Sequence, residues 1–167
     1  MIRVNKISIA LLSAASAACL CMLPRTGTDA AKLLPAQILV VAQEEGQVVV
    51  NSDNGVSGAG ATLSDALDAM RQSADGTLFL DTAEHIVLLQ SAQALLPAVA
   101  WQPQLRPAAK LYLARVNVLS AEDCVDFLRA HSGKTTLADV RAALLRGEAP
   151  GAAVLLPGQN GGIVLAE

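Results

Sequence analysis

The hydrophobic pattern after residue 35 begins with two β-branched runs separated by a polar turn. The runs cover residues 38–41 and 48–50, and the turn between them contains Gly46. Because glycine readily adopts the positive φ of a tight loop, this pattern predicts a β-hairpin. Residues 51–60 are rich in glycine and polar residues and have no periodicity, which predicts a loop or a frayed strand end.

Apolar residues at helical spacing predict three amphipathic helices, each with a hydroxyl residue three positions ahead of an aspartate at its start. These pairs are Thr62–Asp65, Ser120–Asp123 and Thr136–Asp139. Glycines near residues 76, 133 and 147 predict where the helices end. Two shorter helices are also predicted, one capped by Ser91 and one with Pro97 in its first turn.

Short apolar runs between these helices predict the remaining strands. They are residues 77–80, 85–90, 110–118, 152–157 and 162–167. Since strands and helices alternate irregularly after an initial hairpin, the predicted fold class is α/β (mixed α+β). It is a mixed β-sheet with packed amphipathic helices in a single domain.

The first 23 residues have the layout of a bacterial export signal. Arg3 and Lys6 precede an apolar run and a string of small residues. This run is barely long enough to cross a hydrocarbon core, so a cleaved signal peptide and a retained membrane anchor are both open. Cys19 stands where a lipoprotein signal carries its acylated cysteine. We therefore expect a signal or anchor over residues 1–23, with possible lipidation at Cys19, a linker over 24–35 and one domain over 36–167.

The composition argues against nucleic-acid binding and in favour of apolar surface on the protein. Apolar residues make up 53% of the 167 residues and aromatic residues 2%, and the net charge is −3. An acidic chain with so few aromatic side chains lacks the basic surface and stacking platform of a nucleic-acid-binding protein. The mean hydropathy of +0.44 is high for a soluble domain. It indicates apolar surface that meets a partner or a membrane.

The stretch SGAGATLS at residues 57–64 contains glycine and hydroxyl residues ahead of a predicted helix, as phosphate-binding loops do. Gly55 and Gly60 have P-loop spacing, but Ala61 occupies the position of the lysine that contacts the phosphates. Gly58 and Gly60 begin a dinucleotide fingerprint, but Leu63 replaces its third glycine. The stretch is therefore interpreted as a loop followed by a helix cap, and no cofactor is expected.

Three side chains are candidates for a catalytic or reactive role. His85 follows Asp81 and Glu84, so a general base oriented by a carboxylate is one hypothesis, and an exposed histidine at the end of a strand is the favoured alternative. His131 lies near a helix C-terminus, where its charge suits the dipole. Cys124 lies near a helix start, which favours a thiolate, but also on the apolar stripe, which favours a buried structural thiol. No catalytic, cofactor-binding or metal-binding residues are predicted.

Four segments, taken in order, resemble the N-terminal domain of Ger(x)C-type spore germination proteins, the lipoprotein C subunits of bacterial germinant receptors. The first two are QILVVAQEEGQVVVNSD and SGAGATLSDALDAM. The third is GTLFLDTAEHIVLLQSAQALL. The fourth runs from LYLARVNVLSAED to TTLADVRAALLRGEAPGAAVLLPGQNGG. The resemblance spans nearly all of the predicted domain, and members of the family carry further domains after this one.

This resemblance implies a non-enzymatic, exported protein associated with the cell or spore inner membrane. It would act in spore germination through protein–protein contacts, with germinant receptor A and B type membrane subunits as partners. One alternative is an unrelated secreted or envelope-associated α/β binding domain. Another is a small enzyme that uses His85 or Cys124.

Overall fold

The computed structural model describes residues 32–158 and 162–166. The predicted signal segment, with Cys19, lies outside these residues. The elements in chain order are β1 (Leu33–Pro35), β2 (Ile38–Glu44), β3 (Gln47–Ser52), β4 (Ser57–Gly60), α1 (Leu63–Ser73), β5 (Thr77–Phe79), β6 (His85–Leu88), α2 (Leu96–Ala100), β7 (Lys110–Ala114), α3 (Ala121–Ala130), α4 (Leu137–Leu145), β8 (Ala153–Pro157) and β9 (Ile163–Ala166). Two 3₁₀ helices span Leu80–Thr82 and Gln90–Leu95.

Seven strands form one mixed sheet in the order β4-β3-β2-β6-β7-β8-β9. The four central strands, β2, β6, β7 and β8, are mutually parallel. Antiparallel strands flank them, with β3 and β4 at one edge and β9 at the other. The predicted fold class, a mixed α/β sheet with packed helices, is confirmed.

The predicted hairpin is formed by β2 and β3. Glu44 pairs with Gln47, which leaves a two-residue turn. Glu45 and Gly46 both have positive φ, 48° and 83°. Positive φ at both central positions is the type I′ geometry whose twist matches that of the flanking strands.

Residues 57–60 form strand β4, so the prediction of a loop or a frayed strand end is wrong for these four residues. β4 pairs with β3, and its glycines face α1. A Cβ atom on Gly58 would lie 2.2 Å from the Ala66 carbonyl oxygen, and one on Gly60 would lie 2.5 Å from the Asp65 Cβ. The absence of side chains therefore lets the helix backbone pack directly on the strand, which no periodicity in the sequence could indicate.

Two of the three predicted capping boxes are present, at the starts of α1 and α4. In α4 the Thr136 hydroxyl donates to the Asp139 carboxylate (2.6 Å) and accepts from the Asp139 amide (3.2 Å). The Thr136 amide also donates to this carboxylate at 2.9 Å, and the two hydrogen bonds from the Thr136 hydroxyl and amide lower the pKa of the Asp139 carboxyl. Gly147, with φ of +70°, ends α4 as predicted.

Ser120 is the N-cap residue of α3, as predicted, but its capping box is absent, and the predicted cap at Ser91 is wrong. Ser120 precedes α3, but its side chain makes no capping hydrogen bond. Ser91 lies inside the first 3₁₀ turn after β6, and its hydroxyl accepts a hydrogen bond from the Gln43 amide at 3.1 Å. The Ser91 hydroxyl therefore bonds to the backbone of a residue distant in sequence and does not cap a helix.

Helices cover the two faces of the sheet unequally. α1, α2 and α4 pack on the first face, and α3 is the one α-helix of the described residues that packs on the second. Because β2, β6, β7 and β8 step across the sheet in one direction, right-handed crossovers place α1, α2 and α4 on the same side. α3 belongs to the same connection as α4 but packs on the opposite face. The buried apolar strand residues of the second face are Ile38, Val40, Ala42, Val87, Tyr112, Ala114, Ala153 and Leu155.

Strand β5 lies outside the large sheet and pairs in parallel with β1. β1 consists of Leu33–Pro35, at the end of the predicted linker. The side chains of Leu78 and Leu80 are buried in the first-face core, as expected for the apolar run 77–80. Residues 77–80 therefore pack against the core as predicted. Their strand partner, β1, was not predicted, because the hydrophobic pattern of residues 33–35 does not indicate a strand.

Candidate functional site

His85, the candidate general base, is the first residue of β6 and is only 6% exposed. The prediction of an exposed histidine is therefore wrong. β6 lies between β2 and β7, so its first residue is covered from both sides. The structure also contradicts the hypothesis of a general base oriented by a carboxylate. The ring nitrogen Nδ1 of His85 contacts Tyr112. The Glu84 carboxylate pairs with Arg106 at 3.6 Å.

A chain of two hydrogen bonds joins Gly133, Tyr112 and His85, which we call the histidine cluster. The Gly133 amide donates to the Tyr112 hydroxyl oxygen at 3.0 Å. That hydroxyl lies 3.0 Å from Nδ1 of His85. Because the hydroxyl proton needs an acceptor in this buried place, the bonding is complete when Nδ1 is unprotonated and Nε2 carries the hydrogen. The cluster therefore holds a neutral imidazole in one tautomer.

Burial lowers the pKa of His85 below its ordinary value of 6.5. Glu84 raises it, and the positive charges of Arg106, Lys110 and Arg129 lower it further. The imidazole is therefore neutral at pH 7, in agreement with the tautomer that the hydrogen bonds require. A base must contact its substrate, and a ring this deeply covered is a structural group that ties β6 to β7 and to the turn after α3.

Cys124 is fully buried where α3 packs on the second face of the sheet. Burial raises the pKa of its thiol to about 12, and the nearby Asp123 acts in the same direction. The prediction of a buried cysteine on the apolar stripe is confirmed. A protonated thiol without access to solvent is a poor nucleophile, because the thiolate is the reactive form.

His131 lies at the C-cap of α3, as its position in the sequence predicts. Its Nδ1 is 3.1 Å from the Phe127 carbonyl oxygen, and the two rings stack with centroids 4.7 Å apart. The Phe127 carbonyl oxygen also accepts the His131 amide at 2.8 Å, so both the backbone and the ring of His131 contact this carbonyl at the end of the helix. In the described parts of the chain, no three His, Cys, Asp or Glu side chains lie together in a way that could hold a metal ion.

An apolar patch lies where β7 and β8 end, around a cavity of about 100 Å³. We define the apolar patch as Val116, Val118, Leu119, Leu156, Pro157 and Ile163. Val118 is 88% exposed. In open α/β sheets, the carboxyl ends of parallel strands are the usual place for binding sites.

Sequence reasoning missed this patch because it extended the strand to residue 118. β7 ends at Ala114, so Val116 and Val118 belong to the loop before α3. The partial alternation of Leu111, Leu113 and Val116 with polar residues is what predicted a strand over 110–118. Whether these residues form a strand or a loop depends on a tertiary contact. The pairing of β7 with β8 stops at Leu155, so the residues after Ala114 have no strand partner there.

The chain matched no family model, no curated protein and no solved structure. In residues 32–158 and 162–166, no helix has the length and apolar character needed to cross a membrane. The structure itself therefore defines the class: a mixed α/β domain with helices distributed unequally over the two faces of its sheet and an apolar patch at the carboxyl ends of its strands.

Proposed function

We propose that the protein is a non-enzymatic, exported and membrane-associated interaction protein whose role resembles that of the N-terminal domain of a Ger(x)C-type germinant receptor C subunit. Its partners are the A and B type membrane subunits of such a receptor. The apolar patch, with Val118 88% exposed, is the observation that carries this proposal.

The patch has the anatomy of a contact surface. Its centre is apolar, and exposed polar residues border it at Arg115, Asn117 and Glu122. Protein interfaces combine an apolar centre with a polar rim in this way. Covering Val118 and its neighbours removes apolar area from water, which contributes about 25 cal/mol for each Å² buried.

Attachment to the membrane through residues 1–23 is a separate part of the proposal. Either the apolar leader is retained as an anchor, or Cys19 receives a lipid after cleavage. Intact-mass analysis of the membrane fraction tests this. We expect either a diacylglycerol-modified chain that begins at Cys19 or the full chain. A free N-terminus near Ala18 in the soluble fraction would contradict membrane attachment.

Co-purification tests the partner proposal. The tagged full chain is expressed with the A and B type subunits, extracted in mild detergent and captured. We expect Val118→Asp to lower recovery of the subunits by about tenfold, because it places a charge in an interface centre. Leu145→Asp is the matched control, since Leu145 is 74% exposed but lies on α4 outside the patch.

Two results would overturn this proposal. Equal recovery with wild type and Val118→Asp would show that the patch is not the contact surface. Absence of the A and B type subunits from the wild-type capture would favour the alternative, an unrelated secreted or envelope-associated α/β binding domain. Circular dichroism of both variants verifies that each keeps the fold.

A further inference from the structure

A cleft of about 550 Å³ lies between the last turns of α1, strand β5 and the turn at residues 103–104. We call it the β5 cleft and define it by Arg71, Gly76, Thr77, Leu78, Phe79, Leu80, Asp81, Pro103 and Gln104. Its volume is within the range of about 300–1,000 Å³ that is typical of ligand sites. It involves no residue of the apolar patch.

One edge of β5 is unpaired along this cleft. β1 and β5 align Pro35 with Phe79, and the Ala36 amide donates to the Phe79 carbonyl at 3.3 Å. Peptide groups alternate between the two sides of a strand, and Pro35 has no amide hydrogen to offer Leu78. The amide and carbonyl of Leu78 therefore point away from β1, and neither has another hydrogen-bond partner among the described residues.

Two further acceptors of the cleft lack a partner in the described part of the chain. The Gln104 side chain donates from Nε2 to the Asp68 carboxylate at 3.2 Å, which leaves its buried Oε1 without a hydrogen bond. The Asp81 carboxylate is exposed, and no cationic side chain of the described residues lies within ion-pair distance. Arg71 is already engaged with Asp68 at 3.7 Å.

These groups define what a ligand must offer. The Leu78 peptide group needs a main-chain partner that both donates and accepts, as an added strand does. The Gln104 and Asp81 oxygens need donors, and the negative charge of Asp81 favours a cation. We propose that the β5 cleft binds an extended peptide segment of a partner protein, one that carries a lysine or arginine side chain. The segment adds to β5 at Leu78 and places its cationic group at Asp81.

Binding of short synthetic peptides to the full chain in detergent micelles tests this inference by fluorescence anisotropy. The probe is a capped, labelled Val-Lys-Val-Lys-Val peptide, and the charge control is Val-Glu-Val-Glu-Val. We expect the lysine peptide to bind at least about tenfold more tightly. A lysine peptide with methylated central amides keeps its charge but cannot pair with Leu78, so its binding should also weaken by about tenfold.

Matched charge reversals locate the site. Asp81→Lys should weaken binding of the lysine peptide by about tenfold. Asp75→Lys makes the same charge change at an exposed residue outside the cleft and should leave binding nearly unchanged. Three results would overturn the inference: no binding of the lysine peptide, equal binding of the methylated peptide, or equal effects of the two charge reversals. Val118→Asp should have no effect here, which keeps this test distinct from that of the apolar patch.

Discussion

The Tyr112 hydroxyl and the His85 imidazole lie 3.0 Å apart on neighbouring parallel strands, 27 residues apart in sequence. Both residues are buried. Since the same hydroxyl accepts the Gly133 amide, one oxygen connects β6, β7 and the turn that follows α3. The cluster therefore fixes the end of α3 against the second face of the sheet, in a place where apolar packing alone would not determine its position.

Tyr112→Phe should lower the free energy of unfolding by at least about 2 kcal/mol. The change leaves two buried groups unpaired, the Gly133 amide and His85 Nδ1, and each costs about 1–3 kcal/mol. Urea denaturation followed by the fluorescence of Trp101 measures the loss. In a double-mutant cycle with His85→Leu, the combined cost should be smaller than the sum of the single costs. Simple additivity would mean that the two side chains do not interact.

Stability should fall as the pH drops below about 6.5. The unfolded chain then takes up a proton on His85, and the folded chain does not until its lower pKa is reached. The unfolded state binds more protons in this window, so the free energy of unfolding decreases as the pH falls. His85→Gln should reduce the difference between about pH 7.5 and about pH 5.5, measured by urea denaturation. Equal pH dependence of the wild type and His85→Gln would contradict the assignment to His85.

Local signals predicted the elements that depend on a few neighbouring residues. The type I′ turn needs positive φ at two positions, and Gly46 supplied the signal for it. The capping boxes of α1 and α4 need one hydroxyl and one aspartate three residues apart. Because these interactions close within a short segment, the sequence of that segment is sufficient to predict them.

The missed features all depend on tertiary contacts that the hydrophobic pattern does not show. β4 is a strand because β3 pairs with it and α1 packs on its glycines. His85 is buried because Tyr112 and the turn after α3 cover it. The free edge of β5 exists because β1 pairs with its other side. His85 and Tyr112 lie 27 residues apart, so no short segment contains both, whereas β4 is adjacent in sequence to β3 and α1 and was missed because its glycines carry no hydrophobic signal.

Cys124 should resist alkylation while the protein is folded. Its thiol is buried and its pKa is raised to about 12, so almost none of it is thiolate at neutral pH. Treatment with iodoacetamide followed by peptide mass spectrometry should find Cys124 unmodified in native buffer and modified in urea. A Ser120→Cys variant, with its cysteine at an exposed position of the same region, serves as the reactive control. Rapid native labelling of Cys124 would contradict the burial.

Gly58→Ala should destabilise the fold strongly, although the change adds a single methyl group. The new Cβ would lie 2.2 Å from the Ala66 carbonyl oxygen and 2.4 Å from the Met70 amide nitrogen, both in the backbone of α1. Backbone atoms cannot rotate away as a side chain can, so the helix must shift off β4 and lose core contacts, at a cost of about 1–3 kcal/mol or more. Gly151→Ala is the matched control, because a Cβ there meets open space. Urea denaturation should place Gly151→Ala within about 0.5 kcal/mol of wild type. Equal stability of the two variants would mean that α1 does not pack on the glycines of β4.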